Sequence, residues 1–265
     1  MEDVLEQAHE LECECVGVTL HHVRDRDDDA LRVLAARASG FGLSVLAMGD
    51  FVGSASRGDT VAEGVARVRR WITRARAIGS PTLRLASGFY RADLGGQPEL
   101  IERERLHVVA VLSETADEAL ASGVRLLLEN HSDFSVGEYE QVIDEVGRER
   151  VGVFLDLTNS VASLEDPIGV VQRLAPYAYA AHVKDYVFES MQQPDGYHRR
   201  GFAVHYRYPG EGVAPLGSLV RALAEAAGDS DLCLTVEGLD NRADVDDQRA
   251  RLAPSLALLR TLVAT

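Results

Sequence analysis

A chain of 265 residues, 46% of them hydrophobic, can bury a substantial core as one large α/β barrel or two smaller domains. Its 42 acidic against 27 basic residues leave a net charge of −15. That charge repels a polyanion and excludes nucleic acid as an expected partner. No run of about 18 apolar residues is present to span a bilayer, and the acidic opening MEDVLEQAHELECEC is unlike a secretory signal, so a cytoplasmic protein without a membrane partner is expected. Cys13, Cys15 and Cys233 are too few for a disulfide framework, and no second pair follows Cys13 and Cys15 to build a soft-metal site.

In chain order, a helical segment at Asp3–Leu11 comes first. Short β-like runs follow at Cys15–Leu20, Leu43–Phe51, Pro81–Gly88, Arg125–His131, Val151–Asn159, Ala178–Asp185 and Leu232–Leu239. Segments of helical period separate them: Asp59–Ile78, with Val61, Val65, Val68 and Ile72 on one stripe, then Leu100–Ser122, Gly137–Val146, Pro167–Leu174, Pro215–Ala227 and Asp246–Val263. No Pro/Gly/Ser linker or charge block divides the alternation, so residues 1–265 read as a single domain. No G-x-G-x-x-G follows the first strand, which disfavours a doubly wound sheet. The expected fold class is α/β, a TIM (β/α) barrel with seven recognisable strands.

Four residues stand within or at the ends of apolar runs: Glu129 in LLLENH, Asp156 in VGVFLDLTN, His182 in AYAAHVKD and Glu237 in LCLTVEGL. Glu129 to Asp156 is 27 residues and Asp156 to His182 is 26, each about one β-loop-α-loop repeat. Side chains so placed converge at one mouth of a barrel, and three carboxylates with one imidazole make a site for a hard divalent metal ion. The 55 residues from His182 to Glu237 hold one helix and an irregular insertion, Tyr186–Val213, rich in aromatic and cationic residues. A long loop at that mouth is expected to form a lid, residues 186–213.

The chemistry follows from those residue types. A divalent cation polarises a carbonyl and acidifies the adjacent C–H of a hydroxy-carbonyl compound, giving a metal-stabilised enediolate. Glu129 and Glu237, on well-separated strands, can take the proton from one face and return it to the other. Epimerisation, aldose-ketose isomerisation and dehydration share that opening step. Substrate contacts are expected from His131, on the same side of the strand as Glu129, and from Asn159, Lys184 and Asp185. Arg84 stands mid-run in PTLRLASG, where a cation needs a ligand or carboxylate partner. Arg199 and Arg200 of the insertion are candidates for an anionic substrate group, and His21 and His22 follow the first strand towards the mouth. No G-x-S-x-G elbow or Walker loop points to another chemistry.

The runs LLLENH, LDLTNSVASLEDP, AHVKD, YPGEGV and LTVEG together resemble the xylose isomerase-like TIM-barrel superfamily of sugar isomerases and epimerases, which includes inosose dehydratase-like and dehydroshikimate dehydratase-like lyases. The resemblance implies one divalent cation, Mn²⁺, Mg²⁺, Co²⁺ or Zn²⁺, held by Glu129, Asp156, His182 and Glu237. It implies a metal-dependent isomerase or epimerase acting on a sugar or cyclitol-like small molecule. A dehydratase on the same scaffold is the alternative, and a non-catalytic small-ligand barrel the second. Some epimerase-like relatives carry a histidine where Asn159 stands, which sets this chain apart from them. Relatives also open with a strand before the first helix. Either this sequence starts downstream of the natural start or the barrel lacks that strand; an absent strand would leave two unpaired sheet edges, which a homodimer could cover.

Overall fold

The computed structural model describes residues 1–191, 201–228, 230–238 and 245–264. Among them, seven strands form one parallel sheet: β1 (Cys15–Thr19), β2 (Ser44–Phe51), β3 (Thr82–Ala86), β4 (Arg125–Glu129), β5 (Val151–Asp156), β6 (Ala178–Val183) and β9 (Cys233–Val236). The order β1-β2-β3-β4-β5-β6-β9 wraps into a nearly closed TIM barrel, with β1 and β9 at its two edges. Parallel strands need crossovers, which the helices supply. These are α2 (Asp28–Gly40), α3 (Val61–Ala77), α4 (Pro98–Ala121), α5 (Val136–Val146), α6 (Pro167–Leu174) and α7 (Leu216–Ala227), while α1 (Glu2–Glu10) precedes β1 and α8 (Val245–Val263) follows β9.

Helix starts are written in the local sequence. Thr60 with Glu63 and Ser135 with Glu138 make reciprocal capping boxes for α3 and α5. The Asp166 carboxylate accepts from Ile168 N and Gly169 N, ahead of Pro167 at the first position of α6. Helix α2 is absent from the periodicity reading. Its buried stripe is only Leu31, Leu34 and Ala38 among arginines and small residues, and the Asp27 carboxylate capping Ala30 N at 2.8 Å is the stronger signal.

Strand parity sorts the core into two layers. Leu83 and Leu85, Leu126 and Leu128, Val153 and Leu155, and Ala181 and Val183 face outward into the main cluster under the helices. Leu46, Leu127, Phe154 and Ala180 fill the barrel interior, with Cys15 and Cys233 packed against them. Because side chains alternate along a strand, interior membership of Leu127, Phe154 and Ala180 sends Glu129, Asp156 and His182, two residues further on, the same way.

The insertion expected as irregular is in part regular. Strands β7 (Asp185–Ser190) and β8 (Phe202–Arg207) pair antiparallel, from Asp185 opposite Arg207 to Ser190 opposite Phe202. Aromatic contacts Tyr186–Phe188 and Phe188–Phe202 stiffen the ribbon, with centroids 5.3 and 5.1 Å apart. The expectation failed because the alternating pattern DYVFES is short and its partner run FAVHYR lies beyond a polar stretch. Arg199 and Arg200 lie outside the described residues, as does Leu239 at the end of the last predicted strand.

Candidate metal centre

The ends of β4, β5, β6 and β9 bring Glu129, Asp156, His182 and Glu237 together, with one potential ligand atom from each lying within 4.8 Å of the others. Register explains the convergence. Asp156 pairs with His182 directly, whereas Glu129 pairs with Phe154, one interior layer lower. The stagger of a closing barrel lifts successive strands by such steps, so residues from different layers reach one height. Oxygen ligands and one imidazole nitrogen in this spacing fit a hard or borderline divalent cation.

Each candidate ligand has a defined orientation. Asp156 Oδ1 accepts from Thr158 N at 2.8 Å, Asn159 N at 2.8 Å and Thr158 Oγ1 at 3.2 Å. Its other oxygen, Oδ2, is buried without a well-directed hydrogen bond, although the Lys184 ammonium lies 2.8 Å away. That is the oxygen Asp156 can offer a cation. His182 Nδ1 is 2.8 Å from Glu129 Oε1 and 3.8 Å from Glu237 Oε1, and its ring packs on Phe154 with centroids 4.4 Å apart.

Two cations, half-buried Arg84 and buried Lys184, answer the three carboxylates. The Arg84 guanidinium, reaching across from β3, binds Glu129 Oε2. Lys184 Nζ donates to Glu237 Oε2 at 2.5 Å and is 2% exposed. Burial alone would raise the Glu129 pKa, yet Arg84 and His182 hold that carboxyl well below the usual range. Burial likewise opposes the charged forms of His182, Lys184 and Glu237, but their mutual attraction wins: the pKa of His182 is raised towards Glu237 and Glu129, that of Lys184 is raised by Asp156 and Glu237, and that of Glu237 is lowered by His182 and Lys184. Of the two glutamates, Glu237 is the more open, with 21% of its side chain exposed against 1% for Glu129.

The other expected contacts divide. His131 stands at the mouth beside Tyr90, ring centroids 5.5 Å apart, and remains partly exposed. Asn159 does not face the mouth freely: it is buried, and its side-chain amide donates to Asn130 O at 3.0 Å. Asp185 is also committed elsewhere. Its carboxylate accepts from Tyr186 N and Ala214 N at 2.8 Å, Gly212 N at 2.9 Å and Gly210 N at 3.2 Å, tying the base of the hairpin to the segment before α7. Sequence position alone hid this, because backbone donors 25 and more residues away become neighbours only when β8 returns. His21 and His22 sit exposed on the turn after β1.

Asp185→Ala is therefore expected to cost about 3 kcal/mol by stranding several backbone donors of a charged acceptor. Guanidinium denaturation with an unchanged slope would read that loss. A change below about 0.5 kcal/mol, ordinary for a surface substitution, would remove Asp185 from this structural role.

Three site residues escaped the sequence reading. The Lys184 ammonium lies 4.3 Å from the centroid of Tyr206 on β8, which brings the hairpin against the cluster. Asn130 clamps β4 to β5, accepting from Asp156 N at 2.7 Å and donating to Asp156 O at 2.8 Å. Buried Tyr139 donates to Glu129 O at 2.9 Å, also binds Asp133, and accepts from His131 N at 2.9 Å, bracing the β4 exit loop. Asn130 was the one with a visible signal, an amide beside a proposed ligand.

No helix among the described residues is long and apolar enough to cross a membrane. Comparison with curated protein sequences found no match. Among solved structures, the chain is similar to D-psicose 3-epimerase with D-tagatose from Clostridium cellulolyticum H10, at 16% identity and a TM-score of 0.76, covering 99% of this chain and 93% of that one. It is similar to an IOLI protein with a binding zinc atom, at 17% identity and a TM-score of 0.73, over 98% of this chain and 91% of that one. A xylose isomerase-like TIM barrel protein from Mycobacterium smegmatis in complex with magnesium matches at 18% identity and a TM-score of 0.66, over 99% and 88%. At these identities the likenesses speak for the fold. Residues 5–262 match the family model of the xylose isomerase-like TIM barrel, and the chain belongs to that family.

Proposed function

We propose that the protein is a divalent-metal-dependent isomerase or epimerase acting on a sugar or cyclitol-like hydroxy-carbonyl compound. The observation that carries this reading is the presence of Glu129 and Glu237 in one cluster of four candidate ligands, each held ionised by an adjacent cation, Arg84 or Lys184. The similarity to sugar 3-epimerases supports it at the level of reaction class. Glu129, Asp156, His182 and Glu237 would hold the cation, and when bound it supplies Lewis-acid polarisation of the substrate carbonyl. Relatives with zinc and magnesium bracket its identity.

The chain's own groups do the rest. Glu237, the more exposed glutamate, takes the proton next to the carbonyl, and Glu129 faces the substrate from the opposite side of the cluster. The positive charges of Arg84 and Lys184 favour the negative charge that develops on the substrate oxygens. His131, at the rim, binds a substrate hydroxyl. The β7–β8 hairpin serves as the cover, with Tyr206 as its innermost contact, excluding water from the carbanion.

A dehydratase outcome has one specific observation in its favour. Burial raises the Tyr206 pKa, so its phenol stays protonated beside the Lys184 ammonium, where it can donate a proton to a departing hydroxide.

Incubating metal-loaded protein with ketoses, inososes and dehydroshikimate in D₂O separates the outcomes by NMR and mass spectrometry. Solvent deuterium entering the carbon beside the carbonyl without loss of water is the expected result. Loss of water would assign the lyase. Ligand-dependent thermal stabilisation with neither reaction would leave a binding barrel.

A further inference from the structure

Lys184 is the one lysine in the chain, every other basic side chain counted with it being arginine, and it is buried inside the candidate metal centre. An ammonium is a compact point charge, unlike the planar fork of a guanidinium, and it can stand where a small cation would. Its position is specific. Nζ lies 2.8 Å from Asp156 Oδ2 and 2.5 Å from Glu237 Oε2, so it bridges two of the four residues in the ligand cluster. Asp156 has no alternative oxygen to offer, because Oδ1 is already held by Thr158 and Asn159. The contact with Oδ2 is an ion pair rather than a well-directed hydrogen bond, which makes it the easier of the two to break.

Resting on the reading that this cluster binds a divalent cation, we propose that Lys184 is the site's internal competitor. Its ammonium holds Asp156 and Glu237 together and must leave Asp156 Oδ2 before that oxygen can ligate a metal ion. Without a cation at that point, Asp156 and Glu237 would be buried like charges in repulsion. Lys184 thus keeps the ligands assembled at the cost of metal affinity. Metal loading converts it from a fixed counter-ion into an ammonium released towards the mouth, beneath Tyr206. The contrary role is a permanent neutralising neighbour that supports the ligands while they hold metal. The two roles predict opposite signs for the effect of removing the charge.

Calorimetric titration with Mg²⁺ and with Zn²⁺ compares the wild type with Lys184→Met. Competition predicts binding at least about tenfold tighter in the variant, because a unit positive charge a few ångströms from the cation has gone. Equal or weaker binding overturns the proposal. A second measurement uses only the wild-type protein: with isotope-labelled lysine, the single side-chain NH₃⁺ signal reports Lys184 without assignment. Competition predicts that its protons, protected while the ion pairs stand, exchange faster with water once Mg²⁺ saturates the site. Metal uptake with unchanged protection overturns the proposal and leaves the metal reading intact. Absence of metal uptake by both proteins overturns the two together.

Discussion

Glu237→Gln is expected to lower the rate of substrate C–H exchange by about 10²–10⁴-fold, the range a positioned general base contributes. The amide keeps the shape of the side chain and one oxygen for a cation, but it cannot accept a proton. Glu237 is singled out over Glu129 by its surroundings. Glu129 is almost fully enclosed, with one oxygen hydrogen-bonded to His182 and the other to Arg84, whereas Glu237 is more open, is hydrogen-bonded to Lys184 alone among these cations, and has His182 3.8 Å away. A carboxylate held by two strong partners is the poorer base. Exchange measured in D₂O, beside metal content and thermal stability of the same variant, checks the prediction. Near-wild-type exchange in a folded, metal-loaded variant would remove Glu237 from proton transfer.

Arg84→Met is expected to have the largest effect on stability, about 3–5 kcal/mol, the loss found when one partner of a buried ion pair is deleted. Methionine approximates the aliphatic volume of the side chain, so the loss reports the charge more than the packing. The cause lies at Glu129. Burial by itself would push this carboxyl to protonate, and the guanidinium is the leading influence keeping it ionised. Without Arg84, Glu129 must stay charged with His182 as its remaining cationic contact, or take up a proton and lose its negative charge.

The double variant Arg84→Met, Glu129→Gln separates these possibilities. A coupling energy of about 1–3 kcal/mol, with the double variant more stable than the sum of the two losses predicts, identifies the pair as the source. Additive losses would mean that Arg84 acts through packing in the barrel interior. Denaturant unfolding of all four proteins supplies the numbers, and equal slopes confirm comparable unfolding.

The barrel was legible because its signals are local. Short apolar runs and helical stripes alternate along the chain, capping residues mark helix starts, and the ligand spacing of 27 and 26 residues follows from the length of one strand-helix unit. Strand parity, also a local property, sends Glu129, Asp156 and His182 inward once Leu127, Phe154 and Ala180 are interior. Those features sufficed for the fold class and for naming the four candidate ligands.

Tertiary structure decided how each inward side chain is used. Asn159 and Asp185 have the residue types of substrate contacts, yet the exit of β4 consumes one amide and the segment before α7 consumes the other's carboxylate. Tyr206 reaches Lys184 because β8 pairs back along β7, across a stretch whose length conceals the pairing. The physical reason is common to all of these. Whether a side chain points in or out depends on its own strand, but which lone pair or proton it meets depends on barrel stagger and on loops returning from far along the sequence. The sequence by itself therefore determined the barrel class and the four residues of a candidate metal cluster. Only the tertiary structure determined that a lone buried lysine stands between Asp156 and Glu237, on the oxygen a cation would need.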